Sequence, residues 1–199
     1  RYTVAAPNAI DFEFRCRAEN AALFGARGYA VLFFANYLND VIDPALHFRG
    51  VAGPGAEETW IRADAPEGPP HYRRGGTYRS LSAAELAYDD DHNFKLNLWS
   101  YEYPRFTQPF YYGRAANGMT LILMFDRMHG PADEIRFSLF KFKLPKQPRP
   151  AWDCQYVIHR VEAGREYGFR GRLVWKKFVS PEDCQDEYRR WKESLAAKP

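Results

Sequence analysis

The sequence lacks any apolar run of about 18 residues, the shortest stretch that crosses a bilayer as a helix. No basic, apolar and small-residue leader opens it either. We therefore predict a protein with no membrane partner. Cysteine is scarce as well, because Cys16, Cys154 and Cys184 are too few and too widely spaced for a disulfide framework or a zinc knuckle. They favour a soluble cytoplasmic protein with free thiols, and export is the alternative if a leader has been removed ahead of Arg1.

An excess of one charge is also absent. The 199 residues include 28 basic and 25 acidic side chains, which gives a formal net charge of +3. The two signs are mixed along the chain, so no large basic field is present to attract nucleic acid. We therefore predict that nucleic acid is not a partner.

The familiar catalytic signatures are missing too. The chain contains no GxGxxG, no GxxxxGK followed by Ser or Thr, no GxSxG, no HExxH and no CxxC. This excludes the easily recognised nucleotide-binding, hydrolase and zinc families. It does not exclude enzymes in general.

Aromatic residues are abundant and indicate the fold. They make up 17% of the chain, with 13 Tyr and 15 Phe, and both types favour strands. Residues 10–18 alternate apolar and charged, which predicts a strand that is buried on one face. Residues 29–37 and 118–125 are continuous apolar runs, which predict strands covered on both sides. Together these patterns predict a mostly β protein, an antiparallel β-sandwich with long loops.

The end of the chain has the pattern of a helix. Ser180 is a good N-cap, Pro181 suits the first helical position, and acidic residues follow. Cys184, Tyr188, Trp191 and Leu195 recur at helical spacing, so this helix should lay one stripe on the sandwich. We predict one domain over residues 1–199, with strands and loops in 10–179 and the C-terminal helix in 180–196.

Two further strand features are predicted from alternation. Residues 135–139 and 140–144 alternate in opposite phases, which indicates a β-bulge or a strand that changes sheets. Residues 154–158 and 167–175 flank the turn at Ala163 and Gly164, which predicts a hairpin.

Residues 93–103, continued by 109–114, carry the strongest functional pattern. Aromatic rings there alternate with amides and charges, and rings that stack on a pyranose beside planar polar groups are what a sugar site needs. We predict that Glu102 and His92 act as general base and general acid, and that the ligand is a saccharide, including one that contains uronic acid. The predicted ligand-binding residues are Arg74, Trp99, Tyr101, Tyr111, Tyr112 and Arg114. Packing between sheets is the alternative role for each ring.

The run from Asp89 to Asp91 precedes His92 and raises the question of a metal. It lacks the spaced ligands of an EF-hand, and a solvated acidic turn is the commoner origin of such a run. We therefore predict no metal and no cofactor.

Four segments carry a resemblance to known proteins: 33–37, 89–94, 152–153 and 166–169. They resemble a group of uncharacterised bacterial β-rich proteins, which are weakly similar to galactose-mutarotase-like β-sandwich proteins. The resemblance covers most of residues 10–190 and implies a β-sandwich with a sugar ligand. Mutarotase-like enzymes use a His acid and a carboxylate base, and the resemblance assigns neither role to a particular residue here.

The leading hypothesis is therefore a carbohydrate-binding protein, acting on its ligand by acid–base chemistry of the epimerase or lyase type. One alternative is a non-catalytic carbohydrate-binding module. Another is a structural protein, a homo-oligomer whose aromatic residues form the subunit interface.

Overall fold

The computed structural model describes residues 1–5, 7–64, 75–87, 100–143 and 148–197. Within these ranges the chain forms twelve strands, two short 3-10 helices (Ala21–Phe24 and Ala116–Gly118) and a C-terminal α-helix. The strands are β1 (Tyr2–Ala5), β2 (Ala9–Arg17), β3 (Ala30–Phe34), β4 (Val41–Val51), β5 (Thr59–Ala63), β6 (Gly75–Tyr78), β7 (Arg105–Phe106), β8 (Phe110–Ala115), β9 (Met119–Phe125), β10 (Asp133–Lys143), β11 (Pro148–Ile158) and β12 (Glu166–Lys177), and the helix is α1 (Pro181–Ala196). None of the helices in the described ranges is long and apolar enough to cross a membrane.

The strands form two antiparallel sheets packed face to face, as predicted for a β-sandwich. The large sheet has the order β1-β2-β12-β9-β8-β4-β5, with β7 also paired to β4. The small sheet has the order β3-β11-β10-β6. The rings of Phe106 and Phe137 stack between the sheets at 3.8 Å, and Phe48, Tyr111 and Phe125 surround them. Aromatic side chains thus form much of the inter-sheet core.

The helix α1 covers the other face of the large sheet. Phe110, Ile122 and Met124 point to that face, and Cys184 and Trp191 of the helix pack against them. Strand β9 is therefore buried on both sides, which confirms the prediction from residues 118–125. The helical stripe of Cys184, Tyr188, Trp191 and Leu195 is confirmed by the same cluster.

The helix begins as the sequence predicts, and its first turn offers a small, clean test. Ser180 has extended backbone angles, and its Oγ accepts a hydrogen bond from the Asp183 amide at 3.2 Å. Replacing Ser180 by alanine leaves that amide without its cap, so we expect the free energy of unfolding to fall by about 1 kcal/mol. Urea denaturation followed by circular dichroism measures it. Ser180→Asp, which keeps the cap, should restore stability, and equal stability of all three proteins would contradict this account.

Two predictions about single strands are wrong. Residues 30–34 form an edge strand, β3, that is partly exposed rather than covered on both sides. Strand β10 pairs with β11 from Asp133 to Lys143 without a register shift, so no bulge lies there. The irregularity falls instead in β4, between Val41 and His47.

The predicted hairpin is also not formed, because β11 and β12 lie in different sheets. Alternation reports which face of a strand is buried and says nothing about which strand lies beside it. The turn near Gly164 is present, with a positive φ of 77° at that glycine. It carries the chain from one sheet to the other.

Candidate functional site

The outer face of the small sheet, the one turned away from the large sheet, is polar and yet buried. Side chains that alternate with the inter-sheet core on β6, β10 and β11 point there, and most are charged or hydrogen-bonding. We call this set the polar face: Thr77, Glu134, Arg136, Ser138, Asp153 and Gln155, each 0% or 1% exposed. A solvated sheet face carries polar residues at little cost, but burial of such groups costs free energy unless they are paired.

An ion pair occupies one end of the polar face. The Arg136 guanidinium donates from Nε to Glu134 Oε1, and the pair is almost completely buried. The Ala84 amide donates to Glu134 Oε2 at 3.0 Å, and His159 Nε2 lies 3.6 Å from the same oxygen. The Glu134 carboxylate is thus held by hydrogen bonds from Arg136 and the Ala84 amide, so it is fixed in place.

Asp153 lies toward the other end and has a different environment. Its Oδ1 accepts a hydrogen bond from the backbone amide of Asn36 at 2.7 Å. No ion pair is present for Asp153 within the described ranges. Burial raises the pKa of this carboxyl to about 7, although the Asn36 hydrogen bond opposes the shift. Asp153 is therefore poised to hold or release a proton near neutral pH.

Ser138 lies directly opposite Asp153 on the neighbouring strand. Its Oγ is buried and has no hydrogen-bond partner. Side chains directly opposite on antiparallel strands share a face with Cβ atoms about 5 Å apart. The polar face therefore joins a titratable carboxyl to an unsatisfied hydroxyl, and buried hydroxyls without a partner are uncommon in folded proteins.

Three contacts from behind the sheet fix the backbone at Asp153. The Tyr111 hydroxyl donates to the carbonyl oxygens of Trp152 and Asp153, at 2.8 and 3.1 Å. The Trp152 indole donates to the Pro44 carbonyl at 2.9 Å. Gly113 lies under this indole, where an added Cβ would come within 2.5 Å of the ring. Tyr111, a predicted ligand-binding residue, therefore acts here as a support for Asp153.

An aromatic ring borders the polar face at the sheet edge. Phe33 on β3 lies opposite Gln155 and is 37% exposed. Its ring meets that of Phe140 edge-to-face at 5.8 Å. A partly open ring next to planar amide and carboxyl groups is a combination found in sugar sites.

Several predicted site residues lie outside the described ranges: Arg74, His92 and Trp99, together with the acidic run 89–91. Among the residues that the structure does describe, no group of three or more His, Cys, Asp or Glu side chains is placed to hold a metal ion. Glu102 is described and its side chain is exposed to solvent. Its carbonyl oxygen accepts a hydrogen bond from Arg105 Nε at 3.0 Å.

The three predicted tyrosines are packed inside the protein. Tyr101 is 7% exposed and lies against Tyr78, with ring centroids 5.0 Å apart. Tyr111 and Tyr112 are adjacent on β8 and point to opposite faces, Tyr111 into the inter-sheet core and Tyr112 toward the helix. As placed, these rings have the packing role that the sequence offered as the alternative, and Tyr111 and Tyr112 do not share one surface.

Arg114 follows Tyr112 at the next position on the helix side and is partly exposed. It therefore lies on the large sheet, whereas Asp153 and Ser138 lie on the far side of the small sheet. The structure does not bring Arg114 and the polar face together.

Sequence reasoning missed the polar face itself. Ser138 and Asp153 stand at alternate positions within apolar strands, which is the pattern of any strand with a wet outer face. The only available signal was Trp152–Asp153, one of the segments that carry the family resemblance. Burial of that outer face is a property of the tertiary structure, and no local pattern encodes it.

The spacing of the two carboxyls limits the chemistry of the polar face. Val157 is opposite Glu134 and Ser138 is opposite Asp153, so the backbone positions that carry the two carboxyls are four residues apart along the strands. Four residues of antiparallel strand span about 13 Å. The carboxylate pairs of glycosidases are roughly 5 to 9.5 Å apart. Glu134 and Asp153 therefore do not form a hydrolytic pair of that kind.

Comparison of the chain with protein-family models, with curated proteins and with solved structures finds no match. The case for a function therefore depends on the geometry of the chain itself.

Proposed function

We propose that this protein binds a carbohydrate on the polar face and that Asp153 exchanges a proton with the bound ligand. The residues of the polar face are 0% or 1% exposed in the free protein, so the proposal requires that the face become accessible from its partly open edge at Phe33. The observation that carries the proposal is that Asp153 and Ser138 lie side by side on one buried surface. The Asp153 carboxyl has a pKa of about 7, and the Ser138 hydroxyl has no hydrogen-bond partner. A hydroxylated ligand supplies both donors and acceptors, so it satisfies the two groups together. Gln155 adds an amide, and Phe33 adds a ring at the border.

The proposed chemistry is acid–base transfer by a single carboxyl. A group with a pKa near the working pH is present in both protonation states and serves as acid or base. Epimerisation and elimination on a sugar each need such a transfer. A non-catalytic carbohydrate-binding module is the second form of the same proposal, in which Asp153 only accepts and donates hydrogen bonds.

Titration of intrinsic tryptophan fluorescence against neutral and uronic-acid oligosaccharides tests the proposal. Trp152 precedes Asp153 in the chain, and although its indole lies on the opposite face of the sheet, it is held on the same strand and serves as the reporter. Ser138→Ala should weaken binding by about three- to tenfold, the worth of one hydrogen bond. It should not destabilise the protein, because the hydroxyl that it removes has no partner in the free structure.

Ser80→Ala is the matched control. Ser80 is also buried with an unsatisfied Oγ, but it lies two residues beyond Tyr78, whose ring points into the inter-sheet core. The Ser80→Ala protein should therefore bind the sugar with the same affinity as the wild type. Equal affinity in wild type, Ser138→Ala and Asp153→Asn would show that the polar face is not the ligand site.

Turnover separates the two forms of the proposal. If Asp153 transfers a proton, Asp153→Asn should still bind the sugar and should lose conversion of it. If the protein is a binding module, no sugar is converted by either protein, and only affinity changes.

A further inference from the structure

A second polar cluster lies on the helix side of the large sheet, far from the polar face. The irregular stretch of β4 places Asp43 opposite Arg114 and His47 opposite Tyr112. Arg62 on β5 lies opposite His47. These residues form a group beside Phe178, which precedes the helix.

The carboxylate of this cluster is already occupied. Arg62 donates to Asp43 from Nε at 2.9 Å and from a terminal nitrogen at 2.6 Å. The Ala45 amide donates to Asp43 Oδ1 at 3.0 Å, and His47 Nε2 lies 3.3 Å from Oδ2. Although Asp43 is opposite Arg114 in the sheet, its oxygens are therefore held by other groups.

Arg114 is left with a ring and no acceptor. Its guanidinium lies over the Phe178 ring, with Cζ 3.8 Å from the centroid. Its Nε is buried without a hydrogen-bond partner, and no carboxylate in the described part of the chain forms an ion pair with it. The five N–H donors of a partly buried guanidinium normally form hydrogen bonds with acceptors.

Aromatic rings surround this guanidinium on one side. The Phe178 ring lies directly against it, and Tyr112 lies next to the same ring, with centroids 5.7 Å apart. The imidazole of His47 stacks on Tyr112 at 4.8 Å. Burial, with the nearby charges of Arg62 and Arg114, lowers the pKa of His47, although the Asp43 carboxylate opposes the shift. His47 therefore adds little charge, and Arg114 is the available cation.

We propose that Arg114, oriented by Phe178, binds an oxyanion: a carboxylate or phosphate group of a small ligand. A fixed planar guanidinium matches such groups with two parallel hydrogen bonds. The site is separate from the polar face and does not depend on carbohydrate binding there. It gives the ligand-binding role predicted for Arg114 a defined chemistry.

Side-chain nuclear magnetic resonance of arginine Nε–Hε groups tests this directly. Inorganic phosphate and, separately, acetate are added at constant ionic strength, and the Arg114 signal is assigned by its loss in Arg114→Gln. A saturable shift of that signal with phosphate, with acetate or with both supports the site, and the anion that saturates it at the lower concentration is the preferred oxyanion. A shift that grows linearly without saturation, or that matches the shift of the Arg189 signal, overturns it.

Two variants complete the test. Arg189→Gln is the matched control, because Arg189 is an exposed helix arginine that already pairs with Asp186 at 2.7 Å. It should leave the Arg114 response unchanged. Phe178→Leu keeps the cation and removes the ring that orients it, so binding should weaken by about threefold or more. Unchanged binding in Phe178→Leu would overturn the role assigned to the ring.

Discussion

Replacing Arg136 by methionine is expected to lower the free energy of unfolding by about 3–5 kcal/mol. Arg136 is 1% exposed, and its partner Glu134 is 0% exposed. Methionine fills much of the same volume but leaves the Glu134 carboxylate buried without its cation. An uncompensated buried charge is among the most destabilising single changes known in a core. Urea denaturation monitored by fluorescence measures the loss.

A double-mutant cycle assigns the effect to the ion pair. Glu134→Gln alone should also destabilise, whereas the protein with both changes should lose less than the sum of the two, since no charge is left unpaired. Arg189→Met removes a solvent-exposed partner of Asp186 and should cost under about 1 kcal/mol. If Arg136→Met were as mild as that control, the pair would have to be hydrated, and the polar face would not be a buried surface.

Much of the fold was predictable, because its signals are local. The N-cap at Ser180, the proline after it and the spacing of Cys184 and Trp191 are all encoded within one segment. The buried strand β9 is likewise a continuous apolar run. Strand β3 has a similar run but lies at an edge, since burial of a strand depends on neighbours that are distant in sequence.

The candidate site was less predictable, for a physical reason. Tyr111 and Tyr112 were chosen as rings beside polar groups, but packing between layers uses the same residue types. Asp153 and Ser138 were missed because a polar residue on the outer face of a strand gives the same sequence pattern whether that face is exposed to solvent or covered by other parts of the protein. The pKa of Asp153 follows from that burial, so it is a property of the folded protein alone.

The stability of the protein should fall between about pH 4 and pH 7 because of Asp153. Its pKa is about 7 in the folded protein, above the ordinary value of 3.8 for an aspartate carboxyl. The folded state therefore binds this proton more tightly than the unfolded state. The contribution of Asp153 to the free energy of unfolding is fully present below about pH 4 and is lost as the pH rises to about 7. A difference of about three pKa units corresponds to roughly 4 kcal/mol.

Asp153→Asn isolates this contribution from all other titrating groups. The amide oxygen keeps an acceptor for the Asn36 amide, and the side chain no longer ionises. We expect the variant to gain stability relative to wild type progressively from pH 4 to about pH 7, and the gain to level off above that. Denaturation of both proteins at each pH gives the difference curve. A flat curve would mean that the carboxyl is solvated in the folded state.

The same curve links stability to the proposed ligand. A sugar hydroxyl that accepts a hydrogen bond from the protonated Asp153 favours the neutral form and raises its pKa further. Saturating sugar should then move the upper end of the difference curve to higher pH. A sugar that donates to the ionised carboxylate should move it to lower pH. The direction of the shift therefore reports which protonation state of Asp153 meets the ligand.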